Sequence, residues 1–137
     1  MNRRDFMIAT ATITLVAPLT ATAASLDYTE GLEKTELAAG KTLFLDFSAT
    51  WCSTCKAQER VINALRAENP AYDAAISFVR VDWDNFGDGT LSHALNIPRR
   101  STLVVLKGDK ELGRIVAGTA RDAIKALMDV ALAAASA

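Results

Sequence analysis

Cys52 and Cys55 are the only cysteines in the chain, three positions apart, with Trp51 just before them and Lys56 just after. The thiolate is the form of cysteine that attacks a disulfide. The start of a helix favours it, because unpaired backbone N–H groups and the positive end of the helix dipole face the anion. Cys52 would occupy such a start. Cys55, one turn on, would lie on the same side, able to attack a mixed disulfide formed at Cys52 and release the partner. The spacing points to disulfide exchange, with Cys52 as nucleophile and Cys55 as resolving thiol, and that chemistry needs no cofactor. A passive staple is the plain alternative, but the chain-entropy benefit of a cross-link is small for so tight a ring. A zinc site wants four ligands, and the chain offers one cysteine pair and a single histidine, His93.

Such a pair needs a strand to deliver it and a helix that begins at it. Thr42 to Ser48 (TLFLDFS) is almost continuously apolar apart from Asp46, the pattern of a central strand buried on both faces. From Cys52 to Glu68, Ala57, Val61, Ala64 and Leu65 recur at helical spacing, and Asn69-Pro70 supplies a stop. Tyr28 to Ala39 suits a short opening helix ending at Gly40. Ala75 to Val81 reads as a second strand, followed by an acidic loop from Asp82 to Gly89 and a short helix over Thr90 to Leu95. Thr102 to Lys107 and Glu111 to Ala117 are two strands joined by the hairpin-length turn Gly108-Asp109-Lys110. Ala120 to Ala135 closes the chain as an Ala-rich helix with Ile124, Leu127, Met128 and Leu132 on one face, its end from Ala131 expected to fray. Strand-helix-strand followed by hairpin and helix gives a mixed sheet covered by helices on both faces, with several topologies open.

Length and charge bound the rest. The 137 residues suffice for one compact domain, half of them apolar and 23% charged, a globular balance. A net charge of -1 provides no basic field for a nucleic acid backbone, so nucleic acid is not an expected partner. Residues 1–23 read as a signal peptide: Arg3 and Arg4, an apolar run from Phe6 to Leu19 too short to span a bilayer, then Ala21-Thr22-Ala23. Arg3-Arg4-Asp5-Phe6-Met7 resembles the twin-arginine export signal. Cleavage after Ala23 removes Arg3, Arg4 and Asp5, so 15 basic and 16 acidic residues become 13 and 15. Residues 24–137 would form the exported domain, in a compartment where disulfides form and persist, which favours a redox reading of the cysteines over a metal one.

With Trp51-Cys52-Ser53-Thr54-Cys55-Lys56 placed where the first buried strand meets its helix, the chain resembles the thioredoxin superfamily from about Leu43 to the final helix. The resemblance implies an α/β thioredoxin fold, with a central mixed β-sheet of four to five strands and helices on both faces. It implies a thiol–disulfide oxidoreductase acting on protein disulfides. It places Trp51 at the edge of the active site, and Asp46 where the family has a buried acid that assists proton transfer at the second cysteine through water. Burial should raise the pKa of that carboxyl group toward a useful range, whereas a core Asp with no kinetic role is the plain alternative.

Aligning Leu95 to Thr102 with the family puts Ser101 in the place of its cis-proline, followed by Thr102. Pro98 fits that place only with three extra residues before the next strand. A cis bond before a residue other than proline costs about 3–4 kcal/mol, so a trans peptide is expected before Ser101, with its hydroxyl near the sulfurs. Gly118 matches a glycine bordering the substrate groove. Ser53-Thr54 departs from the Gly-Pro of thioredoxins, so the reduction potential is not carried over with the resemblance. Lys56 could favour the thiolate and Arg99 and Arg100 could attract an acidic partner, but solvated charge is the plainer reading of all three. His93 reads as a surface or core residue and not a catalytic base, and the Asp82, Asp84 and Asp88 cluster as a solvated face.

The reading is therefore a periplasmic reductant of protein disulfides, monomeric, supplied with electrons by a membrane thiol donor, with no resident metal. Two rivals remain. Loss of the proline makes a metal or iron–sulfur centre shared by two Cys52-Cys55 pairs less remote. A non-enzymatic assembly factor would keep the fold for protein contact alone.

Overall fold

The computed structural model describes residues 25–137; the signal peptide expected over residues 1–23 lies outside the described residues. In chain order the elements are β1 (Leu26–Asp27), α1 (Leu32–Ala38), β2 (Thr42–Ser48), α2 (Ser53–Glu68), α3 (Ala71–Ala75), β3 (Ile76–Asp82), α4 (Trp83–Phe86), α5 (Thr90–Ala94), β4 (Thr102–Lys107), β5 (Lys110–Val116) and α6 (Arg121–Ala135). The five strands form one sheet in the order β1-β3-β2-β4-β5. β2 is its central strand, parallel to β3 and antiparallel to β4, which pairs antiparallel with β5.

The near-continuous apolar run of β2 follows from burial on both faces. Alternate side chains point to opposite sides of a strand. Leu43, Leu45 and Phe47 join Val79, Val81, Val104 and Leu106 in one core, against which Leu32, Leu37, Trp83 and Phe86 pack from α1 and α4. Phe44 joins Phe78, Leu103 and Val105 in the other, covered by Ile62 and Leu65 of α2, Tyr72 of α3 and Ile124, Leu127, Met128 and Ala131 of α6. Asp46 shares the parity of Phe44 and so faces the layer that holds α2.

Four features differ from the sequence expectation. Asn69-Pro70 ends α2 but also opens α3: Pro70 has φ -60°, suited to a first helical turn, and the Asn69 side chain accepts from the Ala71 N–H at 3.1 Å. The acidic stretch after β3 contains a helical turn, because the Asp82 carboxylate accepts from the Asp84 N–H at 3.0 Å while Trp83 and Phe86 turn inward. β1, two residues long, pairs parallel with β3 at an edge and is too short to leave a period. The Ala-rich end is helical through Ala135 with Ala131 fully buried, since a methyl side chain lets α6 approach the sheet closely.

Candidate active site

β2 ends at Ser48, and four residues later Cys52 caps the N-terminus of α2. Cys52 has extended backbone angles, its N–H donates to the Ala49 carbonyl at 3.2 Å, and its Sγ accepts from the Cys55 N–H at 3.1 Å. The sulfur therefore occupies the place of a capping oxygen, on the positive end of a 16-residue helix with no acidic residue in its first turn. Cys52 and Cys55 form a disulfide with their Cα atoms 5.2 Å apart. Both are buried, at 3% and 2% exposure, beside Ala49 and Trp83. The oxidised pair is thus less open than an exposed thiol, because the loop before β4 lies across it.

That loop brings Ser101 between the sulfurs. Its Oγ is 3.1 Å from the Cys52 Sγ and 3.1 Å from the Cys55 Sγ, and the residue is fully buried. As expected, the peptide before Ser101 is trans, and φ at Ser101 is +62°, in the left-handed region. Proline cannot take that angle, because its ring holds φ near about -65°. The conformation is held from three sides. The Ser101 N–H donates to the Phe47 carbonyl at 2.7 Å, and its carbonyl accepts from the Ala117 N–H at 2.8 Å and from Gln58 Nε2 at 3.0 Å. Thr102 is also buried, its hydroxyl donating to the Arg99 carbonyl at 2.7 Å, so its side chain closes the loop. Pro98 lies exposed, away from the pair.

Gln58 also donates to the Gly118 carbonyl at 2.9 Å, tying α2 to the segment after β5. The left-handed turn there falls on Ala117, φ +61°, and not on Gly118. A Cβ at Gly118 would come within 2.8 Å of Ile115 Cγ2, so glycine serves close packing at that position.

Trp51 is 58% exposed beside the cysteines. Its Nε1 donates to both carboxylate oxygens of Asp84, at 3.0 and 3.1 Å, while the Arg100 guanidinium stacks 4.4 Å from its ring centroid. Asp84 and Arg100 thus belong to the site, contrary to their reading as solvated charges. Arg99 donates to the Arg100 carbonyl, and Lys56 and His93 are exposed.

Asp46 lines a cavity of about 180 Å³ with Ser48, Glu59, Asn63, Arg66 and Arg80. One carboxylate oxygen is sealed without a partner, while the residue keeps some exposure through the cavity. Burial pushes its pKa up to about 7, the charge of Glu59 adds to the rise, and Arg80 opposes it. No hydrogen bond joins Asp46 to either sulfur among the described residues, but Glu59, at the cavity wall, lies one helical turn after Cys55. Among the described residues no group of three or more His, Cys, Asp or Glu side chains lies together as a metal site would require.

A family model described as Thioredoxin matches residues 21–130, more than half of the chain. The chain belongs to the thioredoxin family. Thioredoxin H2 of Arabidopsis thaliana is 33% identical to it over 85 residues, 62% of this chain and 59% of that protein. The thioredoxin of Echinococcus granulosus is 33% identical over 76 residues, 56% of this chain and 65% of the relative. The match thus spans less than two thirds of the length of these curated relatives. Among solved structures, Trxlp from Edwardsiella tarda is similar with a TM-score of 0.65 and 26% identity, over 75% of this chain and 98% of that one. The germline-specific thioredoxin Deadhead of Drosophila melanogaster follows at 0.61 and 26%, over 78% and 97%.

The fold is the thioredoxin fold, with five strands in its mixed sheet. Within it the expected site residues Trp51, Cys52, Cys55 and Ser101 converge, Thr102 and Gly118 shape the adjoining backbone, and Asp46 lies in the layer beneath α2. Sequence reasoning passed over Gln58. Its signal was present: Gln58, Ile62 and Leu65 are spaced four and three apart, which puts an amide on the buried stripe of α2.

Proposed function

We propose that this protein is a periplasmic thiol–disulfide oxidoreductase that reduces disulfides of other proteins, with Cys52 as nucleophile and Cys55 as resolving thiol. The observation that carries the reading is the Cys52–Cys55 disulfide at the N-terminus of α2 in a thioredoxin-family chain. In the reduced form the Cys52 thiolate attacks one sulfur of a client disulfide, forming a mixed disulfide and expelling a client thiolate. Cys55 then gives up its proton and attacks the Cys52 sulfur. The second client thiolate leaves and the ring closes, so two electrons pass to the client. Asp46, poised to titrate near neutrality, accepts the Cys55 proton through water in its cavity. Trp51, the Ser101-Thr102 loop and Gly118 frame the groove for the client chain.

The buried acid and the absence of an inserted helical domain between β3 and β4 among the described residues favour a reductant over an oxidant. Export follows from Arg3-Arg4 and the apolar run that ends before Ala21-Thr22-Ala23. Outside the cytoplasm the pair would be recharged by a membrane thiol donor. One chain holds the complete pair and its own core, so a monomer suffices. The deciding measurement is the reduction potential of Cys52–Cys55, equilibrated against glutathione or dithiothreitol buffers and read by thiol trapping. A value near about -270 mV supports the reductant, one near about -120 mV makes the protein an oxidant, and a pair that never equilibrates sinks the oxidoreductase reading.

A further inference from the structure

We propose that the Ser101 hydroxyl is a catalytic hydrogen-bond donor that stabilises negative charge on the two cysteines in turn: on Cys52 when the reduced pair attacks, and on Cys55 when the oxidised pair is itself reduced. The proposal rests on the exchange reading above. A hydroxyl has one hydrogen, and Ser101 Oγ stands at the same 3.1 Å from each sulfur, so it can serve either but only one at a time.

Both sulfurs need such a donor. Burial penalises an anion, and Cys52 and Cys55 are each almost fully buried. Cys52 Sγ has the Cys55 N–H besides Ser101. For Cys55 Sγ, Ser101 is the one hydrogen-bonding side chain in reach among the described residues. When a donor thiolate attacks the Cys52 sulfur of the oxidised protein, the Cys52–Cys55 bond breaks and its electron pair moves to Cys55. The Ser101 O–H turns to that sulfur as it becomes a thiolate. In the forward direction the same hydrogen rests on the Cys52 thiolate until that sulfur forms its bond to the client. Ser101 gives up no proton in either direction.

The backbone at Ser101 supports the assignment. Glycine takes φ +62° with less strain than serine, and what serine adds at this place beyond a glycine is the hydroxyl that meets both sulfurs. The strained conformer persists because Phe47, Ala117 and Gln58 all hold it, and Gln58 does so while its own Oε1 stays buried without a partner. Gln58 is therefore a positioning residue for the hydroxyl.

The test compares Ser101→Ala and Ser101→Gly with the unaltered protein in two assays. In the reduced proteins, the rate of Cys52 alkylation by iodoacetamide is followed against pH; this reads thiolate directly and does not depend on any client. In the oxidised proteins, the rate of reduction by dithiothreitol is followed. Hydrogen bonds to charged groups are strong enough that both variants are expected to show about tenfold less thiolate below the thiol pKa, and about tenfold slower reduction. Unchanged alkylation profiles in both variants overturn the proposal. So does a Gly variant that behaves like the unaltered protein, which would make the backbone and not the hydroxyl responsible. Loss in one assay alone overturns the transfer between sulfurs. If Ser101→Ala does not fold, Ser101→Gly, free of left-handed strain, decides alone. Normal alkylation shifts in a protein that never reduces a client disulfide would overturn the proposed function and leave this hydrogen bond standing.

Discussion

Trp51 is held from two directions, and that makes it an ordered surface beside a buried disulfide. Asp84 takes its indole N–H and Arg100 covers its face. An exposed aromatic side chain fixed in this way presents area to a client at little further entropic cost. Trp51→Ala is expected to lower the rate of protein-disulfide reduction by about tenfold, the order of magnitude of one aromatic contact with its cation–π partner. The loss should be smaller with a small-molecule disulfide. Equal losses for both substrates would mean that Trp51 acts on the sulfurs themselves and not on client binding. At this scale the cysteine pair was legible from its types and spacing and Asp46 as the one charge in an apolar run, while Trp51 and Ser101 were reached only through the family resemblance. Arg100 and Asp84 were not legible, since a charged residue in a loop reads as solvated until its partner, 49 or 33 positions away, is known.

Among the elements, α2 does more than present Cys52. Its buried Gln58 pins the loop before β4 and the turn after β5, which are otherwise joined by the Ala117–Ser101 bond. Replacing Gln58 by Leu removes two hydrogen bonds and one orphaned acceptor, so the net loss of stability should be about 1–2 kcal/mol, read by urea unfolding. The same variant should shift the alkylation profile of Cys52 in the direction of Ser101→Ala. A stability loss with no shift would leave Gln58 a structural residue only. β2 and β4 coincide with their expected bounds, Thr42–Ser48 and Thr102–Lys107, because a strand buried on both faces writes an unbroken apolar run. The turn α4 and the helix α3 did not show, since a few residues carry no period and owe their form to caps, to half-buried Trp83 and to buried Tyr72.

For the whole molecule, Asp46 links stability to pH. Its folded pKa of about 7 stands above the ordinary 3.8, so the native state binds this proton more tightly than the unfolded chain. The contribution is fully present below the unfolded pKa and is lost as pH rises through the folded one. Three units amount to about 4 kcal/mol across that window. Asp46→Asn is expected to be more stable than the unaltered protein by about 3–4 kcal/mol at mildly alkaline pH, with little difference in acid. Unfolding curves at several pH values check this; parallel curves would show that the carboxyl group is not held near neutrality. If Asp46 also relays the Cys55 proton, the stabilised variant will release client from the mixed disulfide more slowly.

The sequence by itself determined the α/β class, the central strand and the cysteine pair at a helix start, because periodicity and capping are local properties of the chain. It also marked Asp46, as the one charge in an apolar run. Strand order, the sheathing of both sulfurs, the place of Ser101 between them and the clamp from Gln58 were decided by the tertiary structure. Those depend on contacts between residues about 40 to 60 positions apart, and such contacts exist only once both faces of the sheet are covered.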